Sequence, residues 1–164
     1  CTETCEIRTA FEDYYKCLFT AAELQENFEE EANHFIALVP QLQDDDRLPV
    51  EGPITREEIR FAITTLQKNK TPGPDGLSGE FYIAFQELLI PFLEQLFKEA
   101  YDRGELPPSF YQSHTTLIPR IADPNALKGV NKYRPISLCN VDYKIFAKLL
   151  TNRLHTVITK CVND

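Results

Sequence analysis

The 164-residue sequence contains no methionine, not even at its first position, and no tryptophan. Chance alone would supply a few methionines in a chain this long, so the sequence reads as an excerpt or remnant of a longer protein. Nowhere do about 18 apolar residues run together, and the opening CTETCEIRTAFEDYY lacks the basic start and apolar middle of a secretion signal. A membrane span and a signal peptide are therefore excluded within these residues. The cysteines, Cys1, Cys5, Cys17, Cys139 and Cys161, are too few and too scattered for a disulfide scaffold, and their odd number leaves one over in any pairing. They are expected to be free thiols in a reducing, intracellular compartment. His34, His114 and His155 lie far apart and join no cysteine at CxxC or HxxxH spacing, so no metal site is expected in this chain. GxSxG, GxxxxGK[ST] and GxGxxG are also missing, which removes the common hydrolase elbow and the common nucleotide-binding loops.

What is present fits one domain or part of one, large enough to bury a core: 43% of the residues are apolar and 26% charged. The net charge of −8 conceals a gradient. Residues 1–50 hold 12 acidic and 3 basic residues (−9), residues 51–105 hold 10 and 6 (−4), and residues 106–164 hold 3 and 8 (+5). A polyanion would meet the last third, because phosphate contacts come from Lys and Arg. Charge alone equally permits a solvated basic face with no partner.

Hydrophobic spacing organises the chain. Ile7, Phe11, Tyr14, Tyr15, Leu18 and Phe19 recur at three- and four-residue steps and predict an amphipathic helix. Thr20 and Glu23 have capping-box spacing before a second helix with Leu24, Phe28, Ala32 and Phe35 on one face. Residues 39–53, VPQLQDDDRLPVEGP, have no period and three prolines, and read as a linker with a boundary near residue 50. Thus 1–50 form an acidic helical lead-in and 51–164 a second region. Asp44, Asp45 and Asp46 are read as a solvated charge run in that linker.

Thr55 and Glu58 repeat the capping box ahead of the stripe Ile59, Ala62, Ile63 and Leu66. Pro72, Gly73, Pro74, Asp75 and Gly76 form a rigid structural turn, the prolines fixing φ and the two glycines permitting positive φ. Residues 79–103 are expected to be helical in two pieces divided at Pro91, with Gly104 as end cap. Thr115–Ile118 and Tyr133–Leu138 are β-prone and read as a hairpin around a long basic loop. Asn140 then caps a last helix whose buried side holds Tyr143, Ile145, Phe146, Ala147, Leu149, Leu150 and Leu154, with Lys144, Lys148, Arg153 and Lys160 outward or sideways. The fold class is α+β, mostly helical with a small antiparallel hairpin.

No acid and base pair converges, and Ser78, Ser109, Ser113 and Ser137 have no histidine at motif spacing. The informative stretch is LIPRIADPNALKGVNKYRPISLCN, Leu117 to Asn140. It places Arg120, Lys128, Lys132 and Arg134 on one hairpin, where planar guanidinium forks can take phosphate oxygens two at a time. The same cations also fit a basic hairpin in plain solvent.

Three blocks in order, PITREEIRFAITTLQKNKTPGPDGLSGEFY, TTLIPR and KYRPISLCNVDYKIFAKLLTNRL, resemble the N-terminal part of the reverse transcriptase of non-LTR (LINE-type) retrotransposons. The resemblance covers about residues 53–159, and more loosely residues 1–50 are similar to the segment between endonuclease and polymerase in those elements. It implies the fingers and early palm of a right-hand polymerase. It also implies that Arg120 and Arg134 lie near the phosphates of the incoming nucleotide and the template, with Lys128 and Lys132 as secondary backbone contacts. Ser78, Glu80 and Phe81 would be packing and capping residues, and the PGPDG turn a support for the fingers. The partners implied are an RNA template, a DNA primer and deoxynucleotides, in the nucleus and cytoplasm. The complete polymerase would need Mg²⁺ on aspartates in an F-x-D-x-x-x-A-F-D-like block and a later A-D-D block. Neither block occurs here, so no cofactor and no catalytic residue is expected in this chain, which alone should not polymerise. The expected function is therefore a fragment of an RNA-directed DNA polymerase. The alternatives are a truncated, nonenzymatic nucleic-acid or protein binding module, or a decayed product with uncovered apolar faces.

Overall fold

A computed structural model describes residues 2–20, 28–38, 42–120 and 129–162. The chain divides into two compact units, one from Cys1–Leu38 and Thr116–Ile136, the other from Val39–Thr115 and Ser137–Asp164. The described residues are mostly helical, with one two-stranded antiparallel sheet, an α+β arrangement.

The larger unit is built on a three-way helix contact. Helix α4 (Arg56–Thr64) starts with the expected reciprocal capping box. The Thr55 hydroxyl accepts from the Glu58 N–H, and the Thr55 N–H donates to the Glu58 carboxylate at 2.9 Å. Its stripe Ile59, Ala62 and Ile63 is wholly buried. It packs among Ile90, Leu93 and Phe97 of α6 (Gln86–Arg103) and Val141, Ile145, Phe146 and Leu149 of α7 (Val141–His155). Phe97 and Phe146 meet with ring centroids 4.9 Å apart, and Phe110 adds its edge to Tyr143.

Several expectations are corrected. Residues 44–51, read as linker, form helix α3 (Asp44–Glu51) with Pro49 inside it. The three aspartates occupy its first turn, where the helix dipole favours negative charge, and its C-terminal carbonyls are held by a distant side chain described below. The break in residues 79–103 falls at Phe85, between α5 (Gly79–Ala84) and α6, not at Pro91. Pro91 is exposed, so it costs one hydrogen bond on the solvent side while Ile90, Leu93 and Phe97 hold the helix to the core. Gly104 takes the left-handed cap conformation, φ +66°, as expected.

Helix α7 buries Val141, Ile145, Phe146 and Leu149, but Leu150 and Leu154 face solvent at 38% and 49% exposure. Arg153, expected outside, is instead 6% exposed. It donates through Nε and Nη2 to Glu58 at 2.6 and 2.8 Å, through Nη1 to the carbonyls of Val50 and Gly52, and through Nη2 to that of Pro53. A buried guanidinium is tolerated because a carboxylate and three carbonyls share its donors. The same clasp holds the end of α3 and the segment that leads into α4. A short helix α8 (Ile158–Cys161) follows, and Lys160 pairs with Asp46.

Of the two glycines in the PGPDG turn only Gly76 has positive φ, +75°. Gly73 serves by lacking a side chain, since a Cβ there would lie 2.3 Å from Asn140 Oδ1 and 2.6 Å from the Cys139 carbonyl carbon. Asn140 stands at the N-cap position of α7 without capping it through its side chain. That carboxamide is spent elsewhere, accepting from the Asp75 N–H at 3.3 Å and donating to the Ser109 carbonyl at 3.5 Å.

In the smaller unit, α1 (Thr2–Phe19) and α2 (Phe28–Leu38) are the expected helices. Thr20 donates back to the Lys16 carbonyl and closes α1, while Glu23 and Leu24 lie outside the described residues. The expected apolar face of α2 is open, with Phe28 49% and Phe35 68% exposed. Strands β1 (Ser113–Pro119) and β2 (Tyr133–Cys139) form the expected hairpin. The described cysteines Cys5, Cys17, Cys139 and Cys161 are free.

Candidate phosphate-binding site

The hairpin brings three of the four expected cations together. The Arg120 N–H donates to the Lys132 carbonyl at 2.8 Å, which fixes the two strand ends side by side. Over the first four residues of β2 burial alternates: Tyr133 and Pro135 are half-buried, Arg134 and Ile136 exposed. Arg120 is exposed, Lys132 half-buried, and Lys128 lies outside the described residues. Among the described residues no carboxylate is within ion-pair distance of Arg120, Lys132 or Arg134. Other arginines are engaged: Arg56 with Glu94, Arg60 with Glu87, Arg103 with Glu99 and Arg153 with Glu58. Exposed guanidinium groups without a counter-charge are free to take an anion, and phosphate fits their fork.

Tyr133 is the residue that sequence reasoning missed. Phe11 of α1 meets its ring edge-on with centroids 5.1 Å apart. Its carbonyl accepts from two side chains, the Tyr15 hydroxyl at 3.2 Å and Arg120 Nε at 3.3 Å. The signal was present in the strand alternation, which sends Tyr133 and Arg134 to opposite faces.

A second cationic feature belongs to the larger unit. A groove of about 550 Å³ is lined by Leu66, Leu138 and Val141 together with Lys70, Lys144 and Lys148. Lys144 and Lys148 are one turn apart on α7, and Lys70 comes from the loop after α4. None of these lysines pairs with a carboxylate among the described residues. Such a groove can seat phosphates against its lysines and apolar groups against its leucine and valine side chains.

The titratable groups here are structural. Arg153 holds the Glu58 carboxyl below its usual range. Burial, aided by Asp75, pushes Asp142 up, and burial with Asp142 and Asp75 raises the Tyr82 phenol. Asp75 and Asp142 are each engaged by a backbone N–H, from Leu77 and Tyr143. Among the described residues no three His, Cys, Asp or Glu side chains gather to hold a metal ion. The described residues therefore do not fit a Mg²⁺ site. Among the described residues no helix is long and apolar enough to cross a membrane.

No family model matches the chain. Over 157 residues, 96% of its length, it is 33% identical to the transposon TX1 149 kDa protein of Xenopus laevis, itself uncharacterized. It is 29% identical over 117 residues to the RNA-directed DNA polymerase from mobile element jockey of Drosophila melanogaster, and 28% identical over 113 residues to a probable RNA-directed DNA polymerase from transposon BS of the same fly. These two alignments cover 70% and 69% of the chain. The matched segment spans 12% of the length of each relative. The chain is a homologue of these mobile-element proteins, and its resemblance to the reverse transcriptases of non-LTR retrotransposons is borne out.

Proposed function

From that kinship we propose that this chain is the fingers and early palm segment, behind an acidic helical lead-in spanning residues 1–50, of an RNA-directed DNA polymerase that copies element RNA into DNA. Residues 51–164 are then the partial polymerase region. Arg120 and Arg134 hold phosphates of the incoming nucleotide and the template, Lys132 and Lys128 make secondary backbone contacts, and Pro72–Gly76 is the supporting turn. The observation that carries this reading is the hairpin whose described cations have no carboxylate partner, in a protein that pairs other arginines. The Lys70, Lys144 and Lys148 groove offers further contacts of the same chemistry. The partners of the complete protein are an RNA template, a DNA primer and deoxynucleotides, and its Mg²⁺ is held by residues other than these. It works inside the cell, in nucleus and cytoplasm.

In a polymerase carrying this segment, Arg134→Ala is expected to lower kcat/KM for the nucleotide by an amount worth about 2–4 kcal/mol, the scale of a charged contact at a reacting centre. An unchanged kcat/KM overturns the assignment. A nonenzymatic binding module shares the open cations and is told apart by RNA binding without primer extension.

A further inference from the structure

Helix α1 carries no cation of the hairpin, yet two of its aromatic side chains, Phe11 and Tyr15, contact it. Phe11, Tyr15 and Phe19 run along one side of α1 at four-residue steps, Phe11 and Tyr15 nearly parallel with centroids 6.5 Å apart. Phe11 contacts the Tyr133 ring, and Tyr15 donates to the Tyr133 carbonyl. That carbonyl also receives Arg120 Nε. One backbone oxygen therefore ties the lead-in helix to a guanidinium that the proposed function gives to phosphate.

We propose that Tyr15 is a positioning residue for Arg120, acting through the Tyr133 carbonyl, and that α1 is a working part of the phosphate-binding hairpin. The inference rests on the phosphate-binding reading of that hairpin. With Nε committed to the carbonyl, the side-on Nε and Nη2 pair is closed to an anion, and the end-on Nη1 and Nη2 pair remains. The Tyr15 hydroxyl fixes the carbonyl that sets this orientation. Meanwhile α1 packs on the Tyr133 face of β2, and Arg134, one residue on, points to the opposite face and stays open. Holding the guanidinium in its bound orientation before the anion arrives reduces the ordering cost of binding. Among the described side chains of α1 the acidic ones do not cancel this: Glu12 pairs with Arg8, and Glu6 and Asp13 lie about half a helical turn away from the aromatic stripe.

The test is a double-mutant cycle on the full 164-residue chain, with a labelled oligouridine RNA of about 15 nucleotides as probe and thermal unfolding measured alongside. Tyr15→Phe keeps the ring and removes only the hydroxyl. It is expected to weaken binding about threefold, the worth of one ordinary hydrogen bond, and to have no further effect in an Arg120→Ala background. Ile36→Ala, an apolar residue of α2 at 57% exposure, should leave affinity unchanged. If Tyr15→Phe weakens binding equally with and without Arg120, or does not weaken it at all, Tyr15 does not act through Arg120 and the inference is overturned, while a loss in Arg120→Ala alone keeps the hairpin reading intact. If Arg120→Ala itself changes nothing, both the inference and the assignment of Arg120 to phosphate fall.

Discussion

Arg153 and Arg134 are both arginines of the C-terminal third, yet they face opposite conditions. Arg153 is 6% exposed and gives its donors to one carboxylate and three carbonyls. Arg134 is exposed and has no carboxylate within reach among the described residues. A guanidinium satisfied inside the protein holds segments together, and one left open on a strand waits for an anion from outside. Residue type and local charge do not separate these roles; the partners do.

The comparison breaks most visibly at Arg153. Arg153→Ala leaves Glu58 without its counter-charge and three carbonyls without their donors, and is expected to cost about 3–5 kcal/mol of stability. Denaturant unfolding measures this, and the affinity of the remaining folded protein for RNA should be unchanged. Arg153→Lys should recover only part of the loss, because a single ammonium cannot span the carboxylate and the carbonyls of Val50, Gly52 and Pro53.

Next in size is Gly73→Ala. The new Cβ would press on Asn140 and on the backbone of Cys139, so the turn must lift from the junction of β2 and α7. A loss of about 2–3 kcal/mol is expected in thermal unfolding, the range of an overpacked buried contact. A neutral result would mean that the turn is not seated on Asn140.

Acid sharpens the contrast. Glu58 is held below its usual range chiefly by Arg153, so its stabilisation is fully present above about pH 4.5 and is lost as pH falls through its lowered value. Asp142 runs the other way: burial raises it, so its ionised form weakens the fold at neutral pH and protonation relieves that. Glu58→Gln should flatten the acid limb of a stability against pH curve, and Asp142→Asn should raise stability at neutral pH. If neither curve moves, these carboxylates are not coupled to folding.

The local signals that the sequence carries were read correctly where one segment contains its own partner. The Thr55 and Glu58 capping box, the Ile59, Ala62 and Ile63 stripe and the Gly104 cap all depend on residues a few positions apart. Arg153 was misread because its partners, from Val50 to Glu58, lie about 100 residues earlier, and hydrophobic spacing says nothing of a buried cation. Helix α3 was missed for the same reason, since Arg153 holds its end. Pro91 looked like a break because local rules count the lost hydrogen bond and not the core stripe on either side of it. The hairpin cations were legible from their spacing, whereas the Lys70, Lys144 and Lys148 groove spans separate elements that only folding assembles.

The smallest effect falls on the open side of the comparison. Removing one exposed phosphate contact lowers affinity for RNA by only about 1 kcal/mol, roughly fivefold at moderate salt, because water and counterions already share the charge. The more informative quantity is the salt slope. Each phosphate neutralised releases counterions, so Arg134→Ala should reduce the slope of log affinity against log salt by about 0.7 for a single strand and weaken all sequences alike. Arg153→Ala, compared at a temperature where it remains folded, should leave the slope as it is. Equal slopes for wild type and Arg134→Ala would place Arg134 among the solvated charges, and the contrast between a satisfied arginine and an available one would then have to rest on Arg120.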